Sequence, residues 1–466
     1  MLEGPAHTAA DDRDDFGRPK AHLSTGRLLA VTAYWLAITT LMGALTFSVI
    51  PRLVESDGVL GDAKHPLAGL AVGAITTIGV VIAILVQPTM GAISDHTRHR
   101  LGRRKPYIVA GTAMDLVFLA FLAWAFWNEL YWPFLAGVAL LQFSSNFAQG
   151  PYQGYVPDLV PSRQVGVASG LLGAANLAGN LIGPGLAVLF IAILPDLLGF
   201  PEISLGLFAV IGLIEVVTML ITVIWVPDRP APPNELSLLQ RAKSAWGTDI
   251  LAERDFVWVM ISRLLVLTGL VTLQAFAVFY LENAHGMAPN AAQGAAIPVL
   301  VTLLVAALLA AIPGARISSR IGRKPVLYVA IAFGAVGGLL LAVAPAYWVV
   351  LAAAVPIGIC SGVFLGVDWA LMTDIIPKAE SGRYMGISNI AVAGAGPIGS
   401  AVGGVITFAV ALFIADRTIA ADLGFRVLFV VMALELVLGG LALRRVHEPT
   451  RAGDRGAANE PRPAAA

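Results

Sequence analysis

The sequence has 466 residues, of which 57% are hydrophobic and only 13% are charged, and its mean hydropathy is +0.79. A soluble globular domain carries about 25% charged residues, so a water-soluble fold could not hide this much apolar surface. A bilayer can accept it, because the lipid interior is itself an apolar solvent. The formal net charge of zero argues against nucleic acid as a partner, and a single cysteine, Cys360, excludes an internal disulfide bond.

Both ends of the sequence are polar, and the beginning does not have the pattern of a signal peptide. Residues 1–26 mix acidic and basic side chains, whereas a secretory signal needs a short basic region, an apolar region and a cleavage site. Residues 444–466 are rich in Ala, Pro, Arg and Gly. Such segments bury too little apolar surface to offset the entropy lost on ordering. We therefore expect solvated tails at 1–26 and 444–466.

A helix that spans the bilayer needs about 20 mostly apolar residues. That length predicts twelve spans, near residues 28–50, 67–93, 106–127, 131–156, 166–194, 204–226, 256–282, 292–314, 325–344, 347–373, 384–414 and 424–443. A polar, proline-rich linker at 227–255 separates the first six from the last six, and a short amphipathic helix is expected in it around Leu238–Leu251. The predicted fold is an all-α membrane protein with one six-helix bundle at 27–226 and another at 256–443.

Basic residues predict the orientation of these spans. Lys and Arg cluster in the loops after the second and eighth spans, at Arg98, Arg100, Arg103, Arg104, Lys105, Arg316, Arg320, Arg323 and Lys324. The loops after the third, fifth, seventh and ninth spans contain neither residue type. Because short cytoplasmic loops of membrane proteins are enriched in Lys and Arg, we expect the basic loops, the linker and both termini to be cytoplasmic.

The two halves of the sequence resemble each other. The segment 102–109 is similar to 322–329, an offset of 220 residues, and 157–161 is similar to 373–377, an offset of 216. A Gly-Pro pair at 183–184 recurs at 396–397, an offset of 213. Parallel repeats related by an axis along the membrane normal are typical of transporters.

The segment 91–106 is the most informative motif. Gly91 allows the second helix to approach a neighbour closely, and Asp95 ends that helix beside a dense basic loop. We expect this charge cluster to form a latch that holds the two bundles together on the cytoplasmic side. The alternative is that the basic loop only sets the topology. The predicted cytoplasmic gate consists of Gly91, Asp95, Arg103, Arg104, Asp158, Arg323 and Asp374.

This segment resembles the helix 2–3 signature of the major facilitator superfamily. Its long spacer, and the stretch from Asn146 through Gln149-Gly-Pro to Asp158-Leu159, are similar to the glycoside–pentoside–hexuronide and proton-coupled sucrose transporters. Gln153 stands where the sucrose transporters carry an arginine, the second span lacks the paired acids of the sodium-coupled melibiose carriers, and the second motif copy has Ser318 in place of the Asp. The resemblance implies a proton-coupled sugar symporter that works by alternating access, and these departures argue against sucrose as the substrate and sodium as the coupling ion.

Two other functions stay open at this stage. Gly170, Gly179 and Gly183-Pro184 partly match the motif of proton-linked drug antiporters, which would indicate an exporter of drugs or metabolites. Small residues equally pack membrane helices against each other. A receptor that transports nothing is the third reading. An enzyme is not expected, because the sequence has no metal-ligand cluster, nucleophile motif or phosphate loop in the right context, and no cofactor or metal is predicted.

The resemblance also implies where the solute binds, since helices 1, 4, 7 and 10 line the central cavity in that superfamily. Amides can hydrogen-bond sugar hydroxyls and aromatic rings can stack on apolar sugar faces, although Trp and Tyr at span ends also anchor helices at the interface. The candidate substrate-binding residues are Tyr34, Trp35, Asn146, Gln149, Gln153, Arg263, Gln274 and Trp369.

Charged residues inside spans are expected to have a partner or a function, because a charged side chain at the bilayer centre costs at least about 2.5–3.5 kcal/mol of free energy. Arg263 and Asp368 have opposite sign and lie about 10 and 13 Å into their spans, so we predict that they form an ion pair. Asp368 and Asp115 are the candidate proton-coupling residues. Glu215 and Glu435, also offset by 220, are expected to be structural, protonated and hydrogen-bonded within their bundles, with a role in transport as the alternative. The expected partners are a small solute, such as a sugar, protons and the lipid of the plasma membrane, with the monomer as the functional unit.

Overall fold

The computed structural model describes residues 19–45, 68–231, 237–377, 380–414 and 416–448. Within these ranges twelve helices have 20 residues or more, and we number them in chain order. They are α1 Thr25–Ala44, α2 Ala68–Asp95, α3 Lys105–Trp127, α4 Tyr131–Gln153, α5 Val165–Val188, α6 Gly206–Trp225, α7 Arg254–Ala284, α8 Pro289–Ile321, α9 Arg323–Ala342, α10 Tyr347–Ile375, α11 Ser381–Phe413 and α12 Arg417–Leu443. A short helix, Tyr155–Leu159, follows α4, and α5 continues through a π-helical turn, Leu189–Ile193, into the short helix Leu194–Leu198.

Eleven helical segments in the described part of the chain are long and apolar enough to cross a membrane. The segment α4 is not among them, because amide and hydroxyl side chains such as Gln142, Ser144, Asn146 and Gln149 dilute its apolar residues. That α4 also spans the bilayer therefore remains a prediction. The multi-pass membrane character of the chain is clear from the other segments.

The linker differs from its prediction. A single helix around Leu238–Leu251 is wrong, because the structure has a helix at Leu238–Ser244 and a separate 3-10 turn at Thr248–Ala252. The break falls at Gly247, whose backbone is extended at φ −65° and ψ 138°. Glycine is a poor helix former, so it gives the chain a place to change direction.

The repeat seen in the sequence is also present in how the third helix of each bundle begins. Asp228, after α6, accepts hydrogen bonds from the backbone N–H groups of Arg104 and Lys105 at 2.8 and 2.9 Å. Glu448, after α12, accepts from the N–H groups of Arg323 and, at 3.1 Å, Lys324. A carboxylate at a helix N-terminus satisfies free donors and complements the helix dipole. The two bundles therefore use the same device at equivalent positions.

Contacts within each half define two bundles. In the first half α1 packs against α5 and α6, and α4 packs against α2 and α3. In the second half α7 packs against α11 and α12, and α10 packs against α8 and α9. The bundles meet through α2 and α4 against α11, and through α8 and α10 against α5, as two-fold pseudosymmetry requires. The surface between the bundles is where polar side chains from both halves can meet.

Glycines permit the closest helix approaches. In α5, a side chain at Gly179 or Gly183 would collide with Thr39 or with the carbonyl oxygen of Thr40 in α1. At Gly382 of α11, a Cβ atom would lie 2.7 Å from the carbonyl oxygen of Gly91 in α2. The α5 glycines therefore have a packing role, which weakens their use as evidence for a drug exporter.

Candidate functional site

A buried arginine organises one end of the molecule, which carries the loops 96–104 and 322–324 and is called the basic end below. Arg104 is fully buried, and its guanidinium lies 3.0 Å from a carboxylate oxygen of Asp95 and 2.6 Å from one of Asp158. It also donates to the Ser381 hydroxyl, at 2.9 Å, and to the Pro151 carbonyl, at 2.8 Å. Ser381 begins α11 of the second bundle, so this arginine connects the two halves.

Asp95 completes that connection from the last position of α2. One of its oxygens accepts from the backbone N–H of Gly382 at 3.2 Å, and the other from the N–H of Arg383 at 3.1 Å. No side chain at the start of α11 caps that helix itself. The free N–H groups of α11 are thus satisfied by a carboxylate from the other bundle, in the position that the helix dipole favours. We call Asp95, Arg104, Asp158 and Ser381 the ionic latch.

Asp158 is the acid that two arginines share. Arg103 approaches its Oδ2 at 2.6 Å, and the Ser381 hydroxyl donates to its Oδ1 at 2.7 Å. Burial by itself would raise the pKa of Asp158, but Arg104 and Arg103 outweigh burial and hold that pKa below its usual value. The carboxylate of Asp158 therefore stays charged at the pH of a cell.

The linker crosses over the latch. Arg383, next to the latch on α11, donates to both carboxylate oxygens of Asp249, at 2.9 and 2.7 Å, and to the carbonyl oxygen of Gly247. The Trp246 indole donates to the Thr89 hydroxyl of α2 at 3.1 Å. The segment 238–252, which we call the linker strap, therefore contacts both helices that the latch joins.

The second motif copy forms a smaller cluster. Arg323 binds Asp374 at 3.2 Å and donates to the Ser318 hydroxyl at 2.9 Å, and all three residues belong to the second bundle. Across the junction lies the start of α5, where a Cβ atom at Gly166 would lie 2.6 Å from the Ala315 carbonyl oxygen. Arg323, which the sequence assigns to the gate together with Asp374, forms no ion pair with the first bundle among the described residues.

A second polar group lies deeper, between the bundles. Arg263 of α7 and Asp368 of α10 form the predicted ion pair, with 2.8 Å between Nε and Oδ2, and their side chains are only 3% and 2% exposed. Arg263 also donates to the Ser388 hydroxyl of α11 at 3.0 Å. The second carboxylate oxygen of Asp368 has no hydrogen-bond partner among the described residues. This acid therefore keeps one acceptor for a ligand or a proton.

An amide cluster adjoins the ion pair through α11. The carboxamide of Gln87 in α2 donates to Asn146 and, at 3.1 Å, to Gln149 in α4. The Gln87 oxygen accepts from Gln153, at 3.2 Å, and from Asn389 of α11. Asn389 follows Ser388 in the sequence, so α11 joins the amides of the first bundle to the charges of the second.

Aromatic rings complete the central group. The Trp369 ring lies 5.4 Å from the Arg263 guanidinium carbon and packs edge-on against Trp35, with ring centroids 5.0 Å apart. Trp35 stacks on Tyr152 at 6.1 Å. The indole nitrogen of Trp369 and the side-chain oxygen of Gln153 are buried without a partner among the described residues. The group thus offers a free donor, free acceptors and flat apolar faces, which suits a polyhydroxylated solute.

This pattern of two pseudosymmetric six-helix bundles, an ionic latch and a polar centre agrees with a comparison of the sequence with known families. The chain matches the Major Facilitator Superfamily over residues 23–400 and 295–466. The chain belongs to this superfamily. Its members are membrane transporters, and so are the relatives described next, which places the chain among transporters and not among enzymes.

Several sugar permeases resemble parts of this transporter. It is 28% identical over 171 residues to the general alpha-glucoside permease of Schizosaccharomyces pombe, which covers 34% of this chain and 31% of the relative. It is 28% identical over 155 residues to the sucrose transport protein SUC4 of Arabidopsis thaliana, with 30% and 29% covered. It is 31% identical over 185 residues to the proton-associated sugar transporter A of Homo sapiens, with 36% and 24% covered. The chain spans about a third or less of these relatives.

Solved structures share the fold over nearly the whole chain. The E. coli fucose:proton symporter superposes with a TM-score of 0.65 at 15% identity, covering 89% of this chain and 98% of that one. The human organic anion transporter MFSD10 gives 0.66 at 17% identity, with 90% and 98% covered. At such identities the likeness shows the fold of the superfamily transporter and nothing about its substrate.

Most candidate residues of this superfamily member come together. The amides, Trp35, Arg263, Asp368 and Trp369 meet between the bundles. Tyr34 is different, since its hydroxyl pairs with Thr112 of α3 at 2.7 Å, inside the first bundle. Asp115 also lies within that bundle, bound by Ser144. Gln274 is on α7, but its side chain lies outside the described part of the structure.

Sequence reasoning missed four residues that the structure places at the centre or the latch, namely Gln87, Ser381, Ser388 and Asn389. They lie on α2 and α11, which were not counted among the cavity helices. A signal was present, because Gln87 and Asn389 are amides within otherwise apolar spans and need buried partners.

Proposed function

We propose that this protein is a secondary active transporter that carries a sugar or glycoside together with protons by alternating access. The observation that supports this most is the continuous polar group at the bundle interface. It runs from Asp368 and Arg263 through Ser388 and Asn389 to Gln87. Because both bundles contribute to one set of ligands, a solute bound there would stay bound while the bundles rock around it.

The sugar class is favoured by the chemistry of the free groups. A sugar has hydroxyl groups that both donate and accept, and the Trp369 indole, the Gln153 oxygen and the Asp368 oxygen would complement them. The rings of Trp35 and Trp369 offer faces for stacking. The similarity to glucoside and sucrose permeases over part of the chain supports the same class.

Asp368 is the proposed proton-coupling residue of this centre. While Asp368 is ionised, it holds the Arg263 guanidinium. A proton on Asp368 would remove that attraction and free Arg263 for a substrate hydroxyl. Proton binding and substrate binding would then favour each other, which is the requirement for symport.

The ionic latch would close the cytoplasmic side in this scheme. We place the basic end in the cytoplasm, on the positive-inside rule, and the protein in the plasma membrane as a functional monomer. All twelve long helices, α4 included, would span the bilayer. Release of the solute to the cytoplasm would then require that Asp95 and Arg104 separate from the start of α11.

The test is uptake of labelled glucose, maltose and sucrose by proteoliposomes with an alkaline interior. We expect uptake of at least one sugar to depend on the pH gradient. Asp368→Asn should lose gradient-driven uptake and retain exchange of sugar between the two sides. The control is Asp422→Asn, because Asp422 is 38% exposed and pairs only with Arg426 on its own helix among the ion pairs of the described residues.

Two results would contradict the proposal. Normal gradient-driven uptake by Asp368→Asn would remove that acid from the mechanism. If no sugar moved and a lipophilic cation were expelled against its gradient, the exporter function would replace sugar uptake.

A further inference from the structure

Two acids are buried inside the first bundle, away from the central group. Glu215 of α6 is 1% exposed and Asp115 of α3 is fully buried. The two residues belong to helices that pack together, and a Cβ atom at Gly212, one turn before Glu215, would lie 3.0 Å from the side chain of Leu116, which follows Asp115. Tyr34 of α1 reaches the same region, because its hydroxyl pairs with Thr112, one turn before Asp115. The three side chains therefore share one enclosed polar region.

The hydrogen bonding of these acids is incomplete. Ser144 of α4 donates to one oxygen of Asp115. The other oxygen of Asp115 and both oxygens of Glu215 have no partner within the described ranges. The hydrogen bond predicted for Glu215 within its bundle is not observed, because no donor of α1, α3 or α4 reaches its oxygens, whereas its predicted protonation stays a prediction. These three buried oxygens therefore need a hydrogen-bond donor, a proton or a cation.

The surrounding helices do not supply it. Among the described residues α1 presents Tyr34, and α4 presents Ser144 and Tyr152, all of them neutral. The cations of α1 and α3, Arg27 and Lys105, stand in the first turns, about 10 Å before Tyr34 and about 15 Å before Asp115. The turn at 201–205 before α6 contributes only the exposed Glu202. Neither acid takes part in a described ion pair, whereas Asp368 has Arg263.

We propose that Asp115 and Glu215 form a proton-binding site, in which one proton taken from water is held by the two carboxyl groups. Two carboxylates without a cation in a low-dielectric interior cannot both be ionised, since each would keep its full desolvation cost. A proton on one carboxyl removes one of the two charges and supplies a hydrogen-bond donor to a region that lacks one. This site is separate from the Arg263–Asp368 pair and needs no sugar to exist.

Tyr34 connects this site with the central group. Its hydroxyl pairs with Thr112, one turn before Asp115, and its ring packs edge-on against Tyr152 with 5.3 Å between centroids. Tyr152 donates to the Val31 carbonyl of α1 at 2.7 Å and stacks on Trp35. Loss of the proton would charge the region beside Tyr34 and displace α1 against α4. As far as transport is concerned, this link rests on the proposed function.

The second bundle supplies a matched control. Glu435 corresponds to Glu215 at the 220-residue offset, but the position that corresponds to Asp115 is Ala335, and Cys360 corresponds to Ser144 at the 216-residue offset. Glu435 is only partly buried, beside Gly269. A proton on Glu435 would not be shared with a second carboxyl group at the equivalent position. Glu435→Gln therefore changes an equivalent glutamate that has no acidic partner.

The deciding measurement is infrared absorption of protonated carboxyl groups in the purified full-length protein at neutral pH, without sugar. We expect a band that shifts in heavy water and that both Glu215→Gln and Asp115→Asn remove or displace. This shared band should persist in Glu435→Gln, which can remove only the absorption of Glu435 itself. The amide replacements are neutral and similar in shape, so they should preserve the fold. If a single variant fails to fold, the double variant Asp115→Asn, Glu215→Gln, which removes all charge, keeps the test available through loss of the same band.

Three outcomes would overturn the proposal. A wild-type spectrum identical to that of the double variant would mean that the pair holds no proton. A band that disappears when sodium chloride replaces choline chloride would make the pair a sodium site. Equal effects of Glu215→Gln and Glu435→Gln would remove the special role of the pair. Because the spectra need no transport, a failure of sugar uptake contradicts the proposed function and leaves this test intact.

Discussion

The two junctions that close the basic end are equivalent in the repeat but differ in chemistry. At the α2–α11 junction, Asp95 accepts two backbone N–H groups of α11, and Arg104 binds Asp95, Asp158 and Ser381. At the α5–α8 junction Ser318 replaces the aspartate, and its hydroxyl donates to the Ala315 carbonyl of its own helix. Gln164 precedes α5, but its side chain does not cap that helix. One junction is held by ionic contacts between bundles, and the other by close backbone packing at Gly166.

This difference indicates which junction contributes more to the energy barrier for opening the basic end. Close packing between small residues is lost gradually as helices separate, and lipid or water replaces it at little cost. Charge-assisted hydrogen bonds break within a short distance and leave charges that must be hydrated. We therefore infer that the α2–α11 junction sets the barrier to opening, and that the α5–α8 junction follows it.

The sharpest test compares Arg104→Ala with Arg323→Ala. The first variant leaves Asp95 and Asp158 buried without their main cation, and removal of one partner of a buried ion pair costs about 3–5 kcal/mol. Arg323 has one acidic partner, Asp374, which is 14% exposed. Thermal inactivation in detergent should therefore occur at much lower temperature for Arg104→Ala than for Arg323→Ala. Equal losses would show that the junctions have similar strength.

The next largest effect is expected from Asp95→Asn. The asparagine oxygen can still accept one N–H of α11, but the charge-assisted bonds, each worth about 1.5–3 kcal/mol, become neutral ones. Loss of one such contribution shifts the closed–open equilibrium by about ten-fold or more. Spin labels on cysteines at Arg100 and Arg254, which are exposed on opposite bundles, should report a longer distance in a chain that lacks Cys360.

The control for Asp95→Asn is Ser318→Ala, at the equivalent position of the other junction. It removes a hydroxyl that interacts only within the second bundle among the described contacts, so the distance should not change. An unchanged distance in Asp95→Asn, together with normal transport, would leave the basic loop with a purely topological role.

The amino-acid sequence predicts the latch better than it predicts the latch's partners. Asp95 and Arg104 are recognisable because they lie in one motif, and Asp158 because it lies in the repeated segment 157–161. None of the three requires knowledge of how the helices pack. Ser381 is 277 residues from Arg104, and Asp249 is 134 residues from Arg383. Such contacts depend on how the bundles dock, and the hydrophobic pattern of a membrane helix does not specify that, because every face of it is apolar.

The same limit explains the central site. The ion pair between Arg263 and Asp368 was predictable, since buried charges of opposite sign at similar depth need each other. The role of Gln87 was not, because an amide is neutral and indicates no particular partner. Tyr34 was assigned to the substrate, but its hydroxyl points to Thr112, and only the rotation of α1 about its axis decides between these two neighbours.

A gain of charge at the weaker junction should have a smaller effect. In Ser318→Asp the new carboxylate would lie beside Arg323 and the uncapped start of α5, where a helix dipole contributes about 0.3–2 kcal/mol. The closed state would gain stability, and uptake should slow by about two- to ten-fold. Ser318→Asn supplies the uncharged control. Faster uptake by Ser318→Asp would contradict the view that this junction opens more easily for lack of charge.

The smallest effect is expected from the linker strap. The Asp249 side chain is 64% exposed, so its bidentate pair with Arg383 is screened by water and is worth about 0.2–1 kcal/mol. Asp249→Asn should therefore leave the latch closed but loosen the strap, with tryptic cleavage after the exposed Lys243 about two- to five-fold faster. Glu253→Gln is the matched control, because Glu253 is exposed near the end of the same linker and forms no ion pair within the described ranges.

The contact between Asp249 and Arg383 also predicts how cleavage of the linker strap changes with pH. The hydrogen bonds from Arg383 lower the pKa of Asp249 below its ordinary value. A depressed pKa means that the contact contributes stability above the ordinary pKa of about 3.9 and loses it as the pH falls through the lower, folded-state value. Cleavage of the wild-type strap should thus stay slow near neutral pH, rise only under strongly acidic conditions with an acid-active protease, and approach the rate of Asp249→Asn there. If cleavage instead accelerated as the pH rose from neutral, the contact with Asp249 would not be what holds the strap over the latch.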